Sequence, residues 1–152
     1  MNLIEQVGYD APNILMVLNS ILLLNQKPYL LGFVLFFGVD YQLVGMLKNS
    51  IREPRPPRFL EKQFDDGGYY SGGVSKYGMP SGHSAIVWYA TIYTWLVKQS
   101  PYLTLFEIAL CVNTMHQRWA FHKHTVEQLL AGAVLGGTVA FVAFTAVKQL
   151  VK

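Results

Sequence analysis

The sequence predicts an all-α, integral-membrane helical bundle with about five transmembrane helices, and three observations carry that expectation. Of 152 residues, 52 % are hydrophobic and 14 % charged, a balance too apolar for a soluble domain of this size. The apolar residues gather into five runs separated by short polar or proline-containing turns. The charges concentrate in one stretch, 48 to 79, instead of spreading over a solvated surface. The length gives room for a single membrane-embedded domain over 1–152.

The first span is read at Ala11–Leu24, extended back over Leu3–Val7 with an interruption near Pro12. Gln26–Pro28 is a tight turn, and Tyr29–Leu47 supplies about the 20 apolar residues that a bilayer crossing needs. Asp40 lies inside this second span, where a lone carboxylate is costly; it is expected either to partner a basic site residue or to make an interhelical hydrogen bond.

Residues 48 to 79 mix Arg52, Arg55, Arg58, Lys62 and Lys76 with Glu53, Glu61, Asp65 and Asp66, and add prolines and glycines. Irregular backbone is not tolerated in hydrocarbon, so this segment is placed at the interface as a loop flanking the substrate, with Tyr69, Tyr70 and Tyr77 at headgroup level. His83–Val97 forms a short third span, Tyr102–Met115 a fourth carrying Glu107, and Thr125–Val147 a fifth. In the fifth, Gly132 and Gly136 stand four apart, which lets a neighbouring helix approach closely.

The net charge of +3 is modest and its bases are local, which favours an anion site over nucleic-acid binding. Cys111 is the sole cysteine and reads as core packing; an internal disulfide is excluded and a cysteine-based metal site is not expected. The N-terminus shows no basic start followed by a small-residue cleavage site, so no cleaved signal peptide is expected.

Three stretches carry chemistry: LKNSIREPRP (Leu47 to Pro56), YGMPSGHS (Tyr77 to Ser84) and RWAFHKHTVEQ (Arg118 to Gln128). Counting spans, the second ends, the third starts, the fourth ends and the fifth starts on one membrane face, so all three land together. A proline-glycine turn delivers Ser81, Gly82 and His83 to a helix start, whose free N–H groups and positive dipole end suit an anion such as phosphate. Lys48, Arg55 and Arg118 add fixed positive donors; a planar guanidinium grips two oxygens, and Lys offers a point charge. Imidazole titrates near neutrality and can act as nucleophile, acid or base, which singles out His83 and His124. His116 and His122 read as structural.

Lys48 with Arg55-Pro56, Pro80-Ser81-Gly82-His83, and Arg118 with His124 together resemble the signature of the type 2 phosphatidic acid phosphatase superfamily. The look of LKNSIREPRP, KYGMPSGHS and HTVEQLLAG is similar to its dolichyldiphosphatase-like branch. The resemblance implies a vanadium-haloperoxidase-like phosphatase core and a hydrolase that takes a polyprenyl (dolichyl) diphosphate to the monophosphate without a metal or other cofactor. It implies that His124 attacks phosphorus to form a phosphohistidine, and that His83 protonates the leaving group and then activates water. Lys48, Arg55, Ser81, Gly82 and Arg118 would bind the phosphate.

Two positions depart from the superfamily pattern. Gln128 stands where Asp is usual, on the same helical face as His124, and can orient it by accepting a hydrogen bond without supplying charge; Glu127 is the alternative orienter. Gln117 stands where Ser is common. Two other functions remain open: a phosphatidate or other lipid-phosphate phosphatase, and a non-catalytic scaffold that binds lipid phosphate.

The resemblance places the active face in the lumen of the endoplasmic reticulum, or in a plasma or viral membrane for a chain of other origin. Short spans fit the thinner endoplasmic reticulum bilayer. One N-terminal span of the family is expected to be missing, so that a second copy or another partner covers the exposed helix face.

Overall fold

The structure is a computed structural model and describes residues 2–57 and 76–151. Five helices make up the described fold: α1 (Leu3–Leu22), α2 (Lys27–Ile51), α3 (Gly82–Lys98), α4 (Pro101–Ala120) and α5 (Val126–Leu150). Arg58 to Ser75, with Tyr69 and Tyr70 and most of the expected flanking loop, lie outside the described residues.

Local chemistry sets the helix ends. Asn2 and Glu5 close a reciprocal capping box on α1, with Asn2 N donating to Glu5 Oε2 at 2.7 Å and Glu5 N to Asn2 Oδ1 at 2.9 Å. Pro28 and Pro101 enter the first turns of α2 and α4, where a missing N–H costs nothing. Helices α2 and α3 end on Arg52 and Gln99 in the left-handed conformation. Where the sequence predicts an interruption near Pro12, α1 runs unbroken through it. Helices α2 to α5 are also longer than their apolar runs, α4 reaching Ala120 and not Met115, because a hydrogen-bond ladder does not stop where hydropathy falls; α1 ends at Leu22, two residues before its run does.

Helix α3 is central, packed against the other four, with α5 its main partner. The Gly132–Gly136 seam does what its spacing predicts. A methyl group at Gly132 would strike the Ser81 carbonyl, and one at Gly136 the Ala85 carbonyl, so the two backbones meet directly. On the other side, Phe33 stacks on Tyr89 at 5.5 Å between ring centroids. Tyr89 and Tyr93 donate from their hydroxyls to the Phe33 and Tyr29 carbonyls at 2.6 and 2.8 Å, tying α3 to α2 with the phenol groups satisfied. Cys111 is buried core, 3.3 Å from Thr91 Oγ1.

Large apolar side chains cover the outside, including Leu31, Leu35, Leu105, Phe106, Val134 and Phe141. Helices α2 and α5 are each long and apolar enough to cross a membrane. The other three carry more of the polar groups, such as Asp10, Glu107 and Arg118, or are short, as α3 is at 17 residues. The fold is that of an integral-membrane bundle, with lipid rather than water the natural solvent for its exterior.

Asp40 meets neither expectation. It is fully buried, and neither carboxylate oxygen has a hydrogen-bond partner among the described residues. It lies two turns before Lys48, about 12 Å along α2, too far to serve the basic cluster.

Candidate active site

The C-terminal ends of α2 and α4 and the N-terminal ends of α3 and α5 lie at one end of the bundle. Residues 53–55 run beside 76–78: Gly78 N donates to the Glu53 carbonyl at 2.8 Å and Arg55 N to the Lys76 carbonyl at 3.2 Å, around a single bridge between Pro54 and Tyr77. This pairing holds the first motif against the second. Ser81 N donates to the Gln128 carbonyl at 2.9 Å, and Ser84 Oγ to the Leu129 carbonyl at 2.6 Å, which docks the second motif on the third.

A cavity of about 420 Å³ opens here, with Lys48, Arg55, Gly82, His83 and His124 at its polar end and Tyr41, Val44 and Ile86 along its apolar wall. Both imidazoles therefore reach one pocket. A methyl group on Gly82 would meet Val44 Cγ1 at 3.4 Å, an ordinary contact, so packing alone does not require glycine there.

Each cation is held. Lys48 Nζ donates to the Tyr77 carbonyl at 2.9 Å. Arg55 Nη1 donates to the Lys123 carbonyl at 2.9 Å and lies 3.1 Å from His124 Nε2. Arg118 is buried, and its Nη2 contacts His83 Nε2. Ser81 and Arg118 sit behind the pocket wall; Ser81 is fully buried, and its hydroxyl caps α3 by accepting from Ser84 N.

His124 occupies the turn just before α5. Its Nδ1 is 3.2 Å from Gln128 Oε1. Gln128 also accepts from Thr125 N at 3.3 Å, while Thr125 Oγ1 accepts from Gln128 N at 3.3 Å, a capping box at the start of α5. Burial first, then the positive charges of Arg55 and Lys48, push the His124 imidazole down to about 2, so it is neutral throughout the physiological range. Lys123 is lowered too, by burial and then by Arg118 and Arg55. Glu127 is exposed and does not line the pocket.

Three contributors escape the motif reading. Tyr9, from the first turns of α1, has the Arg118 guanidinium 4.9 Å and Lys123 Nζ 5.6 Å from its ring, and its centroid is 6.0 Å from that of His83. Nothing near Tyr9 in sequence marks it. Lys123 stands inside the third motif, between His122 and His124, with no spacing of its own to set it apart. Glu53 is the acceptor for Gln128 Nε2 at 2.7 Å; the Thr125-x-x-Gln128 capping-box pattern was the legible sign that Gln128 would be fixed at a helix start. His116 and His122 are exposed and outside the pocket.

The sequence profile of the PAP2 superfamily matches residues 29–152. The chain belongs to the PAP2 superfamily. Among curated proteins it is similar to dolichyldiphosphatase 1 of Homo sapiens, 29 % identical over 132 residues covering 76 % of this chain and 50 % of that protein. It is likewise 29 % identical over 128 residues to dolichyldiphosphatase 1 of Callithrix jacchus, covering 74 % of this chain and 48 % of the relative. The chain spans about half the length of the curated relatives it matches. Its fold is shared with a transmembrane PAP2-type phosphatidylglycerolphosphate phosphatase from Bacillus subtilis, at a TM-score of 0.69 and 21 % identity, covering 100 % of this chain and 80 % of that one.

Proposed function

We propose that this chain is a membrane hydrolase acting on lipid phosphates, with a polyprenyl diphosphate, dolichyl diphosphate first, as substrate and the monophosphate as product. The observation that carries the reading is that His83 and His124 line one pocket with Lys48 and Arg55 at its polar end and apolar side chains along its wall. Relatives named dolichyldiphosphatase support the substrate class.

In the proposed reaction Lys48 and Arg55 take the non-bridging oxygens of the terminal phosphoryl group, where charge spreads in the transition state, and Arg118 adds its charge from behind His83. His124 Nε2 forms the N–P bond as the bridging P–O bond breaks, and His83, which takes up a proton with the anionic substrate as the diphosphate's charge draws Arg118 and offsets the surrounding cations, gives that proton to the departing lipid phosphate. His83 then takes a proton from water, whose oxygen bonds to phosphorus as the N–P bond breaks, releasing inorganic phosphate. A neutral His124 fits this role, because only an unprotonated imidazole nitrogen can attack.

The lipid tail runs along the apolar wall toward the bilayer. The active face is assigned to the lumenal side of the endoplasmic reticulum, and a second copy of the chain to the outer face of α1, which crosslinking in native membranes tests.

The deciding experiment measures phosphate release from dolichyl and farnesyl diphosphate, phosphatidate and phosphatidylglycerolphosphate in detergent micelles containing EDTA. The expected result is release that favours the diphosphates and is abolished by His124→Asn. No release from any of the four by the parent protein overturns the proposal in favour of a lipid-phosphate binder.

A further inference from the structure

We infer that Glu53 is a positioning residue for His124, acting through Gln128; the inference rests on the reading of His124 as nucleophile. Both hydrogens of the Gln128 amide find acceptors, Glu53 Oε1 at 2.7 Å and the Pro54 carbonyl at 2.9 Å. The amide oxygen faces Thr125 N at 3.3 Å and His124 Nδ1 at 3.2 Å. Turning the amide over would set its oxygen against a carboxylate and a carbonyl, and its NH₂ against a backbone N–H, so one orientation is enforced.

That orientation dictates the tautomer of His124. An acceptor at Nδ1 requires the proton there, which leaves the lone pair on Nε2 at the pocket, where it accepts from Arg55 Nη1 at 3.1 Å, a donor that favours the same tautomer from the other side of the ring. Glu53 thus supplies, one amide removed, the negative charge that the superfamily's usual Asp would place directly on the imidazole. As positive charge builds on His124 during attack, the polarised amide meets it. Gln128 is then a relay and not a weakened Asp.

The test combines ¹⁵N spectra of histidine-labelled protein in micelles at neutral pH with steady-state kinetics. The parent is expected to show His124 as the Nδ1–H tautomer. Glu53→Leu is expected to mix the tautomers and lower kcat about tenfold with KM held within about twofold, and Glu53→Gln, whose amide oxygen can still accept, to recover most of both. In a Gln128→Glu background two carboxylates confront each other, so Glu53→Leu should raise kcat there, a reversal of sign that a purely structural Glu53 would not give. Parental tautomer and kcat in Glu53→Leu, or the same loss in both backgrounds, overturn the inference. Should Glu53→Leu not fold, the Glu53→Gln/Gln128→Glu pair must outperform Gln128→Glu alone, and failure to do so overturns it equally. A parent that releases no phosphate but holds the Nδ1–H tautomer, with Glu53→Leu mixing it, sinks the proposed reaction and still supports the positioning.

Discussion

Gly78 lies so close to Gln128 that a single methyl group on it would collide with the amide oxygen, carbon and nitrogen together. The glycine is required for space: the Gln128 side chain fills the volume where a side chain at 78 would stand. Gly78→Ala should therefore displace the amide from His124 and lower kcat on the order of tenfold, with KM little changed, since Lys48 and Arg55 remain in place. Steady-state phosphate release checks this, and a parental kcat would show that the amide position is not critical.

Arg55 spans two partners at once, the Lys123 carbonyl and His124 Nε2. Both contacts come from one nitrogen, Nη1; what a lysine ammonium, a point charge, cannot reproduce is a planar guanidinium that would grip two phosphate oxygens while it holds them. Arg55→Lys is expected to fall nearly as far as Arg55→Ala, with kcat/KM down on the order of a hundredfold or more. Recovery by lysine to within a few-fold of the parent would reduce Arg55 to a bulk charge.

The depressed His124 gives stability a definite pH dependence. Its folded value of about 2 lies below the unfolded value of about 6.5, so below pH 6.5 the unfolded chain binds a proton that the folded chain refuses. The contribution is fully present above about pH 6.5 and declines as pH falls toward the folded value. Thermal unfolding in micelles should show the parent losing on the order of 2 kcal/mol more than His124→Asn between pH 7 and pH 5. Parallel curves for the two proteins would place the acid sensitivity elsewhere.

Asp40 is a buried carboxylate with no hydrogen-bond partner among the described residues. Removing such a group leaves nothing unpaired behind, so Asp40→Leu should raise stability by about 1–3 kcal/mol and leave turnover unchanged. A large loss of turnover would tie Asp40 to the reaction after all.

The parts of this molecule that could be read in advance are those that depend on one-dimensional pattern. Long apolar runs gave the five spans, and alternation of direction brought Lys48, Arg55, His83, Arg118 and His124 to one end. Gly132 and Gly136 announced their seam because close approach leaves room for nothing larger. What escaped is what pairing and side-chain reach decide. The contact of 53–55 with 76–78 bridges a long intervening segment and has no local signature. Tyr9 reaches Arg118 and His83 only because α1 packs on α4. That the buried Ser81 hydroxyl caps α3 by accepting from Ser84 N is likewise a matter of local turn geometry. Gln128 could be placed beside His124 from the i, i+4 spacing, but the choice over Glu127 needed the turn geometry of Thr125.

Where α3 crosses α5, main chain meets main chain and no rotamer can change. The two helices that deliver His83 and His124 behave there as one rigid jaw, its opening fixed by covalent geometry. Under the proposed function, any give that a bulky isoprenoid demands would then come from the opposite jaw, α2, whose Gly38 and Gly45 have open space around them. On that reading, tolerance for different lipids and fidelity of the chemistry would be lodged in separate pieces of the same small bundle.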